Sequence, residues 1–410
     1  MIRQLLPEAR EVDPAELVAE LNSHPTARPF SDEVVDFTVA LSRRLSKVGR
    51  GMPETEALAF WMRKAEVRRL ADSYASLGSD STLLRPRGTV LHVPPANVDT
   101  LFVYSWLLAT LTGNRNVVRL SERATDQANL IIGAIGEVIG GFPSVRDTTA
   151  MVTYGHEETV TAALSAGSDV RIIWGGDGTV NAVRRVPLPP HATELTFPDR
   201  FSMAAVDTAA YAALGDSERD RLATHFFNDA YWFDQMGCSS PRLVVWAGER
   251  EAAAELTADF ARRVEQVIAS KSYSVDTATA VAKMLQSYRS MIDVDVTSYS
   301  HDVNELTVLG VKEFPDVRGE FSGGGLFYFQ TVDDLLEIAP NIERRDQTLS
   351  QFGFSAAKLG ELGATLNGRG IDRIVPFGAA LNFNRFWDGY DLLQEFSRRV
   401  TIDASAPQLA

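Results

Sequence analysis

The chain has 410 residues, 45% of them hydrophobic and 23% charged, with a formal net charge of -14. That length exceeds what a single core usually serves, so two domains are expected, and the balance is that of an ordinary globular protein. The acidity argues against nucleic acid or an anionic membrane as the main partner, because phosphate binding needs a basic surface.

No run approaches the roughly 18 to 20 uninterrupted apolar residues of a membrane helix, so membrane insertion is not expected. The opening Met1-Ile2-Arg3-Gln4-Leu5-Leu6-Pro7-Glu8 does not read as a signal peptide. A single cysteine excludes an internal disulfide and a multi-cysteine zinc site, and a reducing cytoplasm is the expected compartment.

Residues 1–80 read as helical. Asp13 caps a helix with Pro14 in its first turn, and Ser31–Leu45 and Glu54–Leu77 follow at helical spacing. Thr89–Val93 is then a short strand that ends at Pro94-Pro95-Ala96-Asn97. From there strands and helices alternate: Asn116–Leu120, Ala150–Tyr154 and Val170–Trp174 as strands, Leu101–Leu111, Ala124–Ile139 and Glu157–Ala166 as helices. This rhythm predicts a parallel sheet covered on both faces, with ligands at the carboxyl ends of its strands. Asn97 and the glycines of Gly175-Gly176-Asp177-Gly178 both fall at such ends.

A second α/β unit begins near residue 200, with helices over Ser217–Phe233, Ala252–Ser270 and Thr277–Met291. Its strands are Arg242–Trp246, Glu305–Gly310, Gly325–Phe329 and Arg373–Pro376, followed by a helix over Asp391–Arg398 and a strand at Val400–Ile402. The expected division is a helical N-terminal region with a dinucleotide-binding domain (1–200), a catalytic domain (201–385) and a C-terminal segment (386–410), the two α/β domains closely packed.

Asp234-Gln235-Met236-Gly237-Cys238-Ser239-Ser240-Pro241 joins a helix to an apolar strand. Glycine, two serines and a proline make a tight turn whose N–H groups converge on one spot, an environment that favours a thiolate nucleophile. A buried cysteine serving only as a small hydrophobe is the alternative.

The same segment resembles the nucleophile loop of the LuxC family, the fatty acyl reductases of bacterial luminescence operons and their relatives, within the aldehyde dehydrogenase superfamily. Arg87–Asn97, Arg373–Gly378 and Trp387–Asp391 are also similar to that family, in the same order. The resemblance implies an aldehyde dehydrogenase-like α/β fold with a Rossmann-like cofactor domain beside a second α/β catalytic domain. It implies NADPH-dependent reduction of an acyl thioester, of coenzyme A or a carrier protein, to an aldehyde through a thioacyl Cys238. It further implies a homo-oligomer.

Site residues follow from the matching positions. Asn97 takes the place of the side-chain amide that, with the cysteine N–H, holds the oxyanion; a turn asparagine is the alternative. Arg119-Leu120-Ser121-Glu122-Arg123 resembles the Lys-Pro-Ser-Glu that contacts the adenosine ribose. Arg119 and Arg123 suit a 2′-phosphate, favouring NADPH over NADH, whereas Glu122 would oppose one. Gly175, Gly176 and Asp177 match the turn that holds a dinucleotide pyrophosphate. Read alone, Gly-Gly-Asp-Gly-Thr is also the ATP loop of lipid kinases resembling diacylglycerol kinase, and a non-catalytic scaffold binding a carrier protein is a third reading. Glu194 lies where oxidising relatives carry a Glu-Leu-Gly-Gly general base. The two glycines are missing, so it is either a proton shuttle or a surface residue. Glu320 resembles the glutamate that holds the nicotinamide ribose. The six histidines show no metal spacing.

Overall fold

The computed structural model describes residues 1–403 apart from 96–97, 123–124 and 320. The chain divides into two compact units, one of Met1–Pro198 with the C-terminal residues from Phe383, the other of Asp199–Asn382.

The first unit carries β1 (Ile2–Leu6), β2 (Arg10–Val12), β3 (Thr82–Pro86), β4 (Thr89–Val93), β5 (Arg115–Leu120), β6 (Thr149–Thr153), β7 (Val170–Trp174) and β8 (Thr193–Phe197). Its main sheet runs β2-β1-β6-β5-β4-β7-β8. The five strands from β6 to β8 are parallel. β4 and β7 are buried at every position, His92 and Arg171 included, as expected of central strands covered on both faces. Successive strands leave β4 in opposite directions, β5 and β6 to one side and β7 and β8 to the other. The switch point of a doubly wound sheet therefore lies between β4 and β7.

The N-terminal region departs from an all-helical reading. Helices Pro14–Ser23, Asp32–Val48, Pro53–Trp61 and Lys64–Ala75 are present, with Asp13 accepting from the N–H groups of Ala15 and Glu16 at 2.9 and 3.2 Å. The first residues instead form a β-hairpin, with β1 pairing antiparallel to β6 and to β2. Ile2, Gln4 and Leu6 are buried while Arg3 is exposed, a period-two pattern too short to stand out before Pro7. At the other end, only Leu392–Glu395 of the expected Asp391–Arg398 helix is helical. Ser397–Thr401 is a strand instead, because β3 offers it an antiparallel partner across most of the sequence.

The second unit carries β9 (Phe201–Asp207), β10 (Leu243–Ala247), β11 (Val296–Val303), β12 (Leu306–Val311), β13 (Leu326–Val332), β14 (Asp346–Phe352) and β15 (Arg373–Pro376). The sheet order is β11-β12-β13-β10-β9-β14-β15, parallel except for the edge pair β11–β12. Helices Asp216–Tyr231 and Arg250–Ser270 cover one face, packing Phe226, Phe227, Tyr231 and Phe260 into a core with Trp246 and Phe327. Among the described residues no helix is long and apolar enough to cross a membrane.

Candidate active site

In the first unit, the segments leaving β4, β5, β6 and β7 at their carboxyl ends converge on one cleft of about 700 Å³. Pro94 and Pro95 follow β4, Ser121 and Glu122 follow β5, Gly155 and His156 follow β6, and Gly175 and Gly176 follow β7. That volume lies in the range of cofactor sites, at the place a doubly wound sheet puts them.

The lining suits an anionic dinucleotide. Gly175 has φ +155° and keeps the turn bare where β7 ends; a Cβ there would press on Thr179 at 3.3 Å. Gly176 is the N-cap of helix Asp177–Arg184, whose first N–H groups lack intrahelical partners. Arg119 is anchored by donating to the Gly155 carbonyl at 2.7 Å and stands 4.9 Å from the Tyr154 ring centre. Its buried Nε has no hydrogen-bond partner, so the guanidinium keeps donor capacity for a ligand. Trp174 stacks on Phe197 at 3.7 Å and stiffens the adjoining wall.

Of the residues expected to hold a cofactor, Arg119, Ser121, Glu122, Gly175 and Gly176 thus share one cleft. Asp177 is exposed on the first turn of its helix and does not line it. Asn97, Arg123 and Glu320 lie outside the described residues. Sequence reasoning missed Tyr154 and His156, whose only signal is their place at the end of β6.

In the second unit, Cys238 is half-buried in the turn that enters β10 at its amino end. Phe233, Asp234 and Gln235 all adopt left-handed backbone, with φ of 57°, 53° and 65°. Such conformations cost non-glycine residues about 1–2 kcal/mol each, so neighbouring structure must hold them. Gln235 supplies the hold. Fully buried, its Nε2 donates to the carbonyls of Pro241 and Leu326, each at 3.0 Å, and its Oε1 accepts from the N–H groups of Gly325 and Leu326 at 2.9 and 3.1 Å. Gly324 N–H adds a bond to the Asp234 carbonyl at 3.0 Å. A Cβ on Gly323, at φ +69°, would lie 2.6 Å from that same carbonyl, so the glycine run is where the cysteine loop docks.

Ser202 Oγ donates to the Cys238 carbonyl at 2.6 Å, and Ser240 N–H closes the turn onto Gly237 at 2.9 Å. Ser239 donates to Gln347 and accepts from Thr348, both at 3.3 Å. Ser202 and Ser239 therefore tie the loop to β9 and β14. His225 packs against Gly378, where an added Cβ would meet its own at 3.1 Å.

Glu194, on β8, is engaged by two cations. Arg171, whose side chain is 2% exposed, donates to it through Nε at 2.8 Å and again through Nη2, and Arg184 Nε lies 3.1 Å away. A carboxylate held between two guanidiniums has the geometry of a structural ion pair. His92 is likewise structural: buried between Ser105 and Asn116 at 2.7 and 3.0 Å, it is pushed down to about 4 by burial and stays neutral.

Comparison with known proteins bears on this arrangement. Residues 55–399 match the family described as acyl-CoA reductase (LuxC). The long-chain acyl-protein thioester reductase of Photorhabdus luminescens is 24% identical over 354 residues, covering 82% of this chain and 67% of that protein. The Aliivibrio fischeri enzyme of the same name is 23% identical, covering 75% and 62%. The chain thus spans about two thirds of the length of these relatives. Among solved structures, an oxidoreductase from Marinobacter aquaeolei superposes with a TM-score of 0.71 at 10% identity, over 96% of this chain and 92% of that one. Aldehyde dehydrogenase 21 from Physcomitrella patens does so at 0.68 and 12%, over 95% and 89%. The fold is that of aldehyde dehydrogenases.

Proposed function

Because the chain belongs to the LuxC family of acyl-CoA reductases, we propose that it reduces an acyl thioester to an aldehyde with NADPH, through a thioacyl intermediate on Cys238. The observation that carries this reading is the cysteine turn. There, strained backbone, a buried amide with its hydrogen bonds made and the cysteine coincide. Strain of this kind gathers where geometry serves chemistry.

In this scheme the Cys238 thiolate attacks the thioester carbonyl carbon. The carbon–sulfur bond to the carrier breaks, and the carrier thiolate leaves and takes up a proton from solvent. The oxyanion needs donors, each worth roughly 10²–10³ in rate, and the family resemblance implies that role for the Cys238 N–H and for Asn97, which lies outside the described residues. The cleft at Arg119, Gly175 and Gly176 would hold a reduced nicotinamide dinucleotide, whose chemistry would be hydride donation to the thioacyl carbon. The resulting thiohemiacetal collapses: the carbon–sulfur bond breaks, its electron pair returns to Cys238, and aldehyde leaves. Arg119 orients the phosphate-bearing adenosine end, and Gly175 and Gly176 admit the pyrophosphate. Glu194 has no part in the scheme, since a reductase needs no base to activate water.

The acyl donor is a thioester of coenzyme A or of a carrier protein, and we place the enzyme in a reducing cytoplasm as a homo-oligomer. NADPH oxidation is followed with a panel of acyl thioesters, alongside aldehyde trapping. Thioester-dependent NADPH consumption and aldehyde, both lost in Cys238→Ala, are expected. Binding of NADPH or of an acyl-carrier protein without turnover would instead leave a non-catalytic scaffold.

A further inference from the structure

Arg242 stands four residues beyond Cys238 and is fastened to the same anchor. Its N–H donates to the Ser202 carbonyl at 3.0 Å, while the Ser202 hydroxyl donates to the Cys238 carbonyl at 2.6 Å. The Arg242 carbonyl accepts from Tyr328 N–H at 2.9 Å, so this residue is locked into the sheet where β10 begins. Its guanidinium carbon lies 3.4 Å from the Phe321 ring centre and 6.0 Å from that of Phe201. An aromatic face on this cation removes it from water.

Its Nε is buried without a hydrogen-bond partner, and among the described residues it forms no ion pair. The contrast is Arg318, which approaches the same Phe201 ring at 5.6 Å but is matched by Asp346 through two hydrogen bonds of 2.7 Å. A desolvated cation lacking a counter-charge is costly, and proteins keep one where it meets a charge that forms in use. Burial pulls Arg242 down to about 10, while the charges of Cys238, Asp199 and Tyr328 work against that fall. Asp199 is exposed, and the Tyr328 hydroxyl is bonded to Ser290 at 2.7 Å. Cys238, four residues away and tied to the same Ser202, is therefore the group that can gain a charge whose influence reaches Arg242.

We propose that Arg242 is the fixed counter-charge of the Cys238 thiolate, a positioning residue that acts through the sulfur by keeping it ionised near neutral pH. The proposal rests on Cys238 being the nucleophile, but its test does not require turnover. Because the sequence holds one cysteine, alkylation by iodoacetamide reports on Cys238 alone. The thiolate sulfur bonds to the reagent's methylene carbon and iodide leaves, so the rate follows the ionised fraction.

The pH–rate profile is recorded by intact mass for the full-length wild-type chain, Arg242→Met and Arg242→Lys. The wild-type midpoint should fall below the ordinary cysteine value of about 8.5. Arg242→Met should raise it by about one unit, cutting alkylation near neutral pH about tenfold, while Arg242→Lys retains most of the effect. A wild-type midpoint at or above about 8.5 overturns the proposal even if Arg242→Met does not fold. So does an unmoved midpoint in folded Arg242→Met. Acyl-adduct formation with an unmoved midpoint sinks this proposal and leaves the reductase reading standing. A depressed, Arg242-dependent midpoint without any acyl adduct does the reverse.

Discussion

Gln235 and Leu326 are joined by two hydrogen bonds: Gln235 Nε2 donates to the Leu326 carbonyl at 3.0 Å, and Leu326 N–H donates to Gln235 Oε1 at 3.1 Å. One amide thereby bonds the main chain at the amino end of β13 and holds the left-handed segment Phe233–Gln235 just before Cys238. Gln235→Ala leaves buried main-chain groups without partners, at an expected cost of about 2–4 kcal/mol. Thermal or urea unfolding reads that loss. The alkylation rate of Cys238 should also change as the loop relaxes; unchanged stability and reactivity would show that the turn holds itself.

Asp229 gives a pH signature independent of catalysis. Burial raises its carboxyl to about 7 from an ordinary 3.8, although the N–H groups of Gly378 and Ala380 donate to it at 2.7 and 2.8 Å and pull the other way. The folded state thus holds a proton that the unfolded state releases between about 4 and 7. Its contribution to stability is full below the unfolded value and is lost as pH rises through the folded one. Melting temperature should carry a falling component across that window, and Asp229→Asn should flatten it. A variant with the wild-type slope would assign the pH dependence elsewhere.

Glu194 separates structure from chemistry. Glu194→Gln removes the carboxylate paired with the buried Arg171 and is expected to cost about 1–3 kcal/mol in chemical denaturation. Turnover per folded molecule should stay within a few-fold of wild type. A collapse of turnover in a fully folded variant would restore Glu194 as a proton carrier.

Arg119→Ala should weaken NADPH binding about tenfold to a hundredfold, the worth of one charge-assisted contact, and NADH binding far less. Fluorescence titration of both cofactors measures the difference. Equal losses for the two would move Arg119 away from the 2′-phosphate.

Local signals and long-range ones explain what could be read from the residues. The mostly apolar, β-branched-rich segments Thr89–Val93 and Val170–Trp174, each ended by turn residues, announce buried parallel strands, and the cleft assembles where those turns fall. The polar turn around Cys238 is equally local. Strand β14 is different: Asp346, Gln347 and Thr348 are almost wholly buried, so the segment looks like a loop until Arg318 and Ser239 are seen to satisfy it. The role of Gln235 is hidden for the same reason, since the bonds that define it reach Gly325 and Leu326, about ninety residues on. The N-terminal hairpin exists only because β6 offers an open edge.

Intact-mass measurement of the protein incubated with acyl thioesters in the absence of cofactor addresses the sulfur most directly. A single added acyl group, absent in Cys238→Ala and discharged as aldehyde when NADPH is supplied, is the predicted result. Thioester-dependent NADPH oxidation persisting in Cys238→Ala would contradict covalent catalysis at this residue.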